Sequence, residues 1–290
     1  MDSFSALLSN FSLHAGVFYT GNICGIHDFE RDPYRGHLHL LRQGDMQVLG
    51  LNQQDLHIDQ PTLLFLPRPE NHRLLANDQH GADVVCATIE FGGGSAAGQN
   101  PITASLPDVV LVPLAELPGM DAILELMFDE AFAAGPAGQG EPGKQPVLDR
   151  LCEVLIIRLL RHCMEHGLTR GGTLAGLSDP RLAKALAAMH EVPGHPWDLV
   201  SLADKAGMSR ARFAVHFRAV TGDTPLNYLA SWRILNAQRL LRKGMPLKVV
   251  ALDVGYGSTS ALNRAFVRAT GVAPMQWLKL VQVDAAIASS

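Results

Sequence analysis

The strongest constraint on this chain is an internal repeat near its C-terminus. Segment 201–225 reads S-L-A-D-K-A-G-M-S-R-A-R-F-A-V-H-F-R-A-V-T-G-D-T-P, and segment 249–274 reads V-V-A-L-D-V-G-Y-G-S-T-S-A-L-N-R-A-F-V-R-A-T-G-V-A-P. Ser209 and Ser258, Phe213 and Leu262, Phe217 and Phe266, Gly222 and Gly271, and Pro225 and Pro274 are all 49 apart. Upstream the offset falls to 48 (Ala203 with Ala251, Gly207 with Gly255), so the second copy carries one extra residue in its turn. Repetition of a whole supersecondary unit constrains a fold more than any single motif. Each copy reads as a short helix, a glycine turn, a Ser N-cap, a second helix, then Gly and Pro. Ser209 and Ser258 are expected to accept from the first free amides of the following helix. Phe213/Phe217 and Leu262/Phe266, four apart, bury one face against the preceding helix. Arg210, Ala211, Ala214 and Val215 then point outward in the first copy, and Thr259, Ser260, Asn263 and Arg264 in the second. A helix so held, with an exposed N-terminal face, has the helix-turn-helix geometry that enters a DNA major groove.

Charge agrees with that geometry. Residues 1–178 hold 10 Lys/Arg against 21 Asp/Glu, whereas residues 179–283 hold 14 against 6. A basic segment joined to an acidic one points to a nucleic-acid or membrane partner for the basic part. No apolar run approaches the ~20 residues of a membrane helix. The N-terminus lacks the basic start of a secretory signal, and four irregularly spaced cysteines form neither a disulfide framework nor a zinc pattern. A cytoplasmic protein is expected.

The first half is built differently. Short apolar or alternating runs at Val17–Tyr19, Gly36–Leu41, Met46–Leu51, Asp55–Ile58, Thr62–Leu66, His72–Leu75, Val84–Phe91 and Val109–Val112 predict an antiparallel sandwich or barrel. Gly92–Gln99 reads as a loop. Helical periodicity follows at Met120–Ala133, then a loop at Ala134–Pro146, then a long helix at Val147–His166. That helix is apolar over more than one face. One side is assigned to the strand domain, and the side bearing Leu148, Leu151, Leu155 and Leu159 to a homodimer seam, with burial inside the same chain as the alternative. The glycines of 171–178 predict a linker.

Residues 179–280 resemble the DNA-binding domain of the AraC family of bacterial transcription regulators. The run G-Y-G-S-x-S-x-x-x-R-A-F-x-R-x-x-G-x-x-P from Gly255 to Pro274 is similar to the family signature, and Pro225–Arg242 resembles the helix joining its two units. Leu262 departs from the usual aromatic, and Trp277-Leu278 stands where Tyr-Arg is common. The resemblance implies base contacts from Arg210, Ala211, Arg212, Ala214, Thr259, Ser260, Asn263 and Arg264. Phosphate contacts are expected from Lys205, Ser209, Arg218, Arg239, Arg242, Lys243, Lys248, Ser258 and Arg268. The N-terminal half is similar to the cupin-type sensor domain that such regulators often carry, through His37-x-His39-x3-Gln43-x6-Gly50 and Pro67-x-Pro69-x2-His72. Gln43 stands where enzymatic cupins have a metal-binding Glu, so no metal, cofactor or catalytic residue is assigned. His37, His39, Gln43 and His72 are instead expected around an effector pocket. Cys24 and Cys86 are buried small hydrophobes or, as in one subgroup of such regulators, oxidant-sensing thiols.

The expectation is an α+β multidomain regulator. It comprises a cupin-like antiparallel β barrel with helices over 1–115, a helical dimerisation segment over 116–170, a linker at 171–178, and an all-α double helix-turn-helix domain over 179–283. Its expected partners are duplex DNA, a second copy, RNA polymerase, and a small effector or regulatory protein. The competing class, a cupin-fold metal-dependent enzyme, is disfavoured by Gln43 and the repeat.

Overall fold

The computed structural model describes residues 3–32, 34–51, 54–92, 100–133 and 142–288. Most of the two expected glycine-rich loops, 93–99 and 134–141, lies outside the described residues. The chain opens on helix α1 (Ser3–Asn10) and divides into two compact units, Leu13–Arg170 and Met1–Ser12 with Gly171–Ser290.

The strand unit contains β1 (Leu13–Ile23), β2 (Gly25–Phe29), β3 (Gly36–Gly44), β4 (Met46–Leu51), β5 (Gln54–Ile58), β6 (Thr62–Leu66), β7 (His72–Ala76), β8 (Ala82–Phe91) and β9 (Val110–Pro113). They pair antiparallel into one sheet of order β1-β8-β3-β6-β9 and a second of order β2-β7-β4-β5. Strand β2 has no counterpart among the expected runs. Leu41, Leu64, Leu66, Val84 and Cys86 of the first sheet share one apolar cluster with Met46, Val48, Leu74 and Ala76 of the second, so the core lies between the sheets. All five residues of β6 and the first six of β3 are buried. Two-sided burial explains why β6 is apolar almost throughout rather than alternating, whereas β3 carries two buried histidines, His37 and His39, among its leucines.

Helices α2 (Pro101–Ala104), α3 (Asp121–Phe132) and α4 (Lys144–Glu165) complete this unit. Helix α4 begins inside the expected loop and lies along edge strand β1. Its Asp149 accepts from the Val17 amide at 2.8 Å, Glu153 from the Ala15 amide at 3.4 Å, and Gln145 donates to the Val17 carbonyl. An unpaired strand edge is thereby satisfied by side chains of the same chain. Leu148, Leu155 and Leu159, expected at a dimer seam, are buried within the single chain, and Leu151 is half-buried. The intramolecular alternative is the one the fold adopts for those three residues. The face that α4 leaves exposed carries Val147 and Val154 instead.

The second unit is helical: α5 (Gly172–Ser178), α6 (Leu182–Glu191), α7 (Leu199–Lys205), α8 (Arg210–Thr221), α9 (Pro225–Arg242), α10 (Leu247–Asp253), α11 (Thr259–Thr270) and α12 (Pro274–Ala288). Segment 171–178 is thus a packed helix with Leu174 and Leu177 buried, not a free linker. Gly176 serves close packing, since a Cβ there would sit 2.6 Å from Leu186 Cδ1. Helix α1 belongs with this unit rather than with the strand domain expected over 1–115. It packs on α6, with Leu7 and Phe11 buried and Phe11 edge-on to Trp232 at 6.2 Å.

Candidate nucleic-acid interface

Two helix pairs carry the repeat, α7 with α8 and α10 with α11. Helix α7 starts with a reciprocal cap in which Asp198 accepts from the Ser201 amide at 2.8 Å and Ser201 Oγ accepts from the Asp198 amide at 3.1 Å. Gly207 and Gly255, at φ +63 and +87, make the turns in a backbone region that costs side-chain-bearing residues energy. Phe213 and Phe217, and Leu262 and Phe266, are fully buried as the repeat requires. The two caps differ. Ser258 Oγ accepts from the Ala261 amide at 3.2 Å, whereas Ser209 is extended like a cap yet makes no side-chain cap bond.

Anchoring those apolar positions turns the opposite faces out. Arg210, Ala211, Arg212, Val215 and Arg218 are exposed on α8, and Ser260, Asn263, Arg264 and Arg268 on α11, with Ala214 and Thr259 half-buried beside them. Lys205, Ser209, Lys243, Lys248 and Ser258 are exposed as well. Among the described residues the ion pairs use none of these cations; the one pair in this unit is His216–Asp179. Unspent guanidinium and ammonium groups are what a phosphate backbone neutralises. Arg239 and Arg242 are held differently from the rest. Arg239 is half-buried with its guanidinium at Asn236 Oδ1, and Arg242 lies over the Trp277 ring at 5.8 Å. Trp277 also packs edge-on to Phe266 at 5.7 Å, which accounts for an aromatic at this position.

The pair that anchors α8 leaves no mark in the sequence. His216 Nε2 lies 2.7 Å from Asp179 Oδ2, while Asp179 Oδ1 accepts from the amides of Arg181 and Leu182 at the start of α6. Burial alone would raise the Asp179 carboxyl, but those amides and His216 outweigh it and hold it below the usual range. A lone His among outward-facing residues gives no sign of a partner 37 positions upstream.

In the strand unit three of the four expected pocket residues meet. His37 and His39 on β3 and His72 on β7 are buried, with ring centroids 5.0 to 6.0 Å apart. Gln43 is exposed and stands apart from them. A register shift between Leu41 and Gln43 inserts one extra residue and reverses the side on which Gln43 falls. The proton positions of the cluster follow from its partners. His72 Nδ1 faces the Glu70 carbonyl at 3.1 Å and so carries the hydrogen. His72 Nε2 then accepts from His39 Nε2 at 2.8 Å, and His39 Nδ1 accepts from the Cys86 thiol at 3.1 Å. His37 Nδ1 is buried with no hydrogen-bond partner among the described residues.

Two nitrogens on one tetrahedral metal stand roughly 3.3 Å apart at ordinary bond lengths. The His39–His72 contact is a hydrogen bond instead, Gln43 is absent from the cluster, and no group of three or more His, Cys, Asp or Glu among the described residues is placed to hold a metal. These residues do not fit the metal of enzymatic cupins. Burial holds Cys86 protonated, its pKa pushed up to about 12, while Cys24 is exposed between β1 and β2 with Sγ 3.3 Å from Asn22 Oδ1. A cavity of about 690 Å³ opens beside the cluster, lined by Asp28, Glu30, Arg31, Asn71, His72 and Arg73 among others.

The histidines are kept neutral. Burial lowers all three pKa values, His39 well below the usual range and His72 to about 4. Between about 4 and 6.5 the unfolded chain therefore binds more protons at His72, so stability falls as pH falls through that window. At ~1.4 kcal/mol per pH unit, His72 alone removes roughly 3 kcal/mol. Melting of the strand unit at pH 7 and pH 4.5 should show a large loss for the wild type and a smaller one for His72→Gln. Equal losses in both would contradict the neutral cluster.

Comparison with known proteins agrees with both halves. A cupin family model matches residues 2–165, and a helix-turn-helix domain model matches residues 202–280. The RCS-specific HTH-type transcriptional activator RclR of Escherichia coli K12 is 30% identical over 246 residues, covering 84% of each chain. An uncharacterized HTH-type transcriptional regulator of Haemophilus influenzae is 28% identical over 274 residues, covering 88% of this chain and 89% of its own. The solved DNA-binding domain of AdpA in complex with a target DNA is 34% identical over 37% of this chain and 96% of its own, with a TM-score of 0.35. This chain belongs to the AraC-like transcription regulators with a cupin N-terminal domain. It is a DNA-binding transcription regulator. No helix among the described residues is long and apolar enough to cross a membrane.

Proposed function

We propose that the protein reads duplex DNA with both repeat helices, α8 and α11, and that a ligand bound in the strand unit sets its activity. The observation that carries the first part is the exposed face of each helix, whose cations enter no ion pair among the described residues, opposite a fully buried pair of anchors. Arg210, Arg212, Ser260, Asn263 and Arg264 supply hydrogen bonds to base edges, while Ala211, Ala214 and Thr259 offer apolar contact to thymine methyls. Lys205, Ser209, Arg218, Lys243, Lys248, Ser258 and Arg268 supply sequence-independent phosphate contacts. Effector input is assigned to the cavity at His72, whose mixed charges suit a small polar molecule. Homodimerisation, RNA polymerase contact, a cytoplasmic setting and the lack of any catalytic activity complete the reading.

Arg264 tests it. On a duplex selected from a random library by the wild-type chain, Arg264→Ala should cost about 1–3 kcal/mol and relax preference at one position. Equal weakening on every sequence would make Arg264 a phosphate contact and overturn its assignment to a base.

A further inference from the structure

The loop leading into α7 and the turn between α10 and α11 belong to different copies of the repeat, yet their backbones meet. A Cβ on Gly194 would lie 2.6 Å from the carbonyl oxygen of Asp253. A Cβ on Gly255 would lie 3.0 Å from Gly194 Cα and 2.9 Å from Arg233 Nη2. Arg233, on the joining helix α9, sits at this junction. Its Nε donates to the Pro193 carbonyl at 2.7 Å and its Nη2 to the His195 carbonyl at 2.8 Å, while its guanidinium lies over the Tyr256 ring at 5.9 Å. The loop is itself closed. The Trp197 indole donates to the Val192 carbonyl at 3.0 Å, and the Trp197 amide to the His195 carbonyl at 2.8 Å.

We propose that Arg233 is a positioning residue that holds the two helix-turn-helix units at one fixed setting, and so makes the protein selective for one half-site spacing. Helix α9 packs on both units, on α8 through Tyr228 edge-on to Phe217 and on α10 and α11 through Ile234, Ala237 and Leu241, but the leading loop of the first unit lies beyond those contacts. The Arg233 clamp adds a second tie, between the leading loop of one unit and the turn of the other. Charge-assisted bonds from a planar fork suit this task, because two nitrogens reach two carbonyls at once, whereas a lysine offers one point charge. Gly194 and Gly255 are the other half of the junction, small enough for backbone to lie on backbone. DNA turns once in about 10–10.5 base pairs, so each inserted pair rotates the second half-site by roughly 35°. A rigid pair of readers cannot follow that rotation; a loosened pair can.

The inference rests on both helices reading DNA, and the test separates the two claims. Full-length protein is titrated in gel shifts against the selected duplex and against the same duplex with two base pairs inserted between half-sites. The wild type should bind the insertion duplex about 100-fold more weakly, the loss expected when the second linked contact cannot form. For Arg233→Ala that penalty should shrink below roughly tenfold, with weaker binding to the parent duplex. Gly194→Ala, which forces the loop off the Asp253 carbonyl, should shift the penalty the same way by a different route. If Arg233→Ala melts without cooperativity, Arg233→Lys takes its place beside Gly194→Ala. Folded variants that retain the full spacing penalty overturn the role of Arg233. A wild type indifferent to the insertion overturns two-helix reading itself, and the inference with it.

Discussion

Leu155→Glu should unfold the strand unit rather than release a folded monomer. Leu155 is fully buried at the middle of α4, among Leu148, Cys152, Ile156, Leu159 and Leu160 of the same helix, which are buried too. The substitution places a carboxylate there without a partner, at a cost of several kcal/mol, and also removes a packed side chain worth about 1.5–3 kcal/mol. A domain stable by ~5–15 kcal/mol loses much of its margin to such a change. Helix α4 also supplies the Asp149 and Glu153 acceptors that satisfy the amides of β1, so its detachment leaves a sheet edge unpaired. Thermal melting by circular dichroism should show the transition of this unit lost or strongly lowered, with aggregation in sedimentation. A cooperative wild-type melt combined with a monomeric mass would instead place Leu155 at an intermolecular seam. Val154→Glu is the matched control: at 42% exposed it should leave the melt nearly unchanged.

The α4 case shows what periodicity can and cannot carry. The breadth of its apolar surface is legible from spacing, because side chains at i, i+3 and i+4 share a face whatever lies against them. Which surface meets that face is a long-range fact. The same limit applies to Gln43. Alternation along β3 places His37, His39 and Leu41 on one side correctly, and would carry Gln43 there too, but the extra residue at the bulge reverses the pattern. Nothing in H-L-H-L-L-R-Q-G marks that insertion. Strand β2, G-I-H-D-F, is short and half polar, and only pairing with β7 makes it a strand. Helix α5 reads as a linker because glycine suggests freedom, yet Gly176 is there to let Leu186 approach. The assignment of α1 to the helical unit depends on packing against α6 and Trp232, far along the chain and beyond any local signal. The double helix-turn-helix was the most legible part, since a turn, a cap and two anchors recur together in two copies. Even there, the missing cap bond at Ser209 and the His216–Asp179 anchor required the fold.

Salt should act on DNA binding more strongly than any single substitution. The segment 179–283 carries 14 Lys/Arg against 6 Asp/Glu, and among the described residues its exposed Lys and Arg side chains enter no ion pair. Each phosphate neutralised releases condensed counterions, so the logarithm of affinity falls linearly with the logarithm of salt, by about 0.9 per phosphate. If two copies neutralise about 6–10 phosphates, affinity should fall on the order of 10³–10⁵-fold between 50 and 200 mM salt. Replacing Lys243 and Lys248 by Ala should lower the slope by about one for each phosphate left unneutralised, without changing which sequence is preferred. Arg264→Ala should change the preference as well. The measurement that tests the account most directly is therefore a gel-shift titration of the full-length chain on its selected duplex across that salt range. A steep slope that flattens when the lysines of the helical unit are removed is the expected result. A flat response, or one unchanged by those substitutions, would contradict DNA reading by this cationic face.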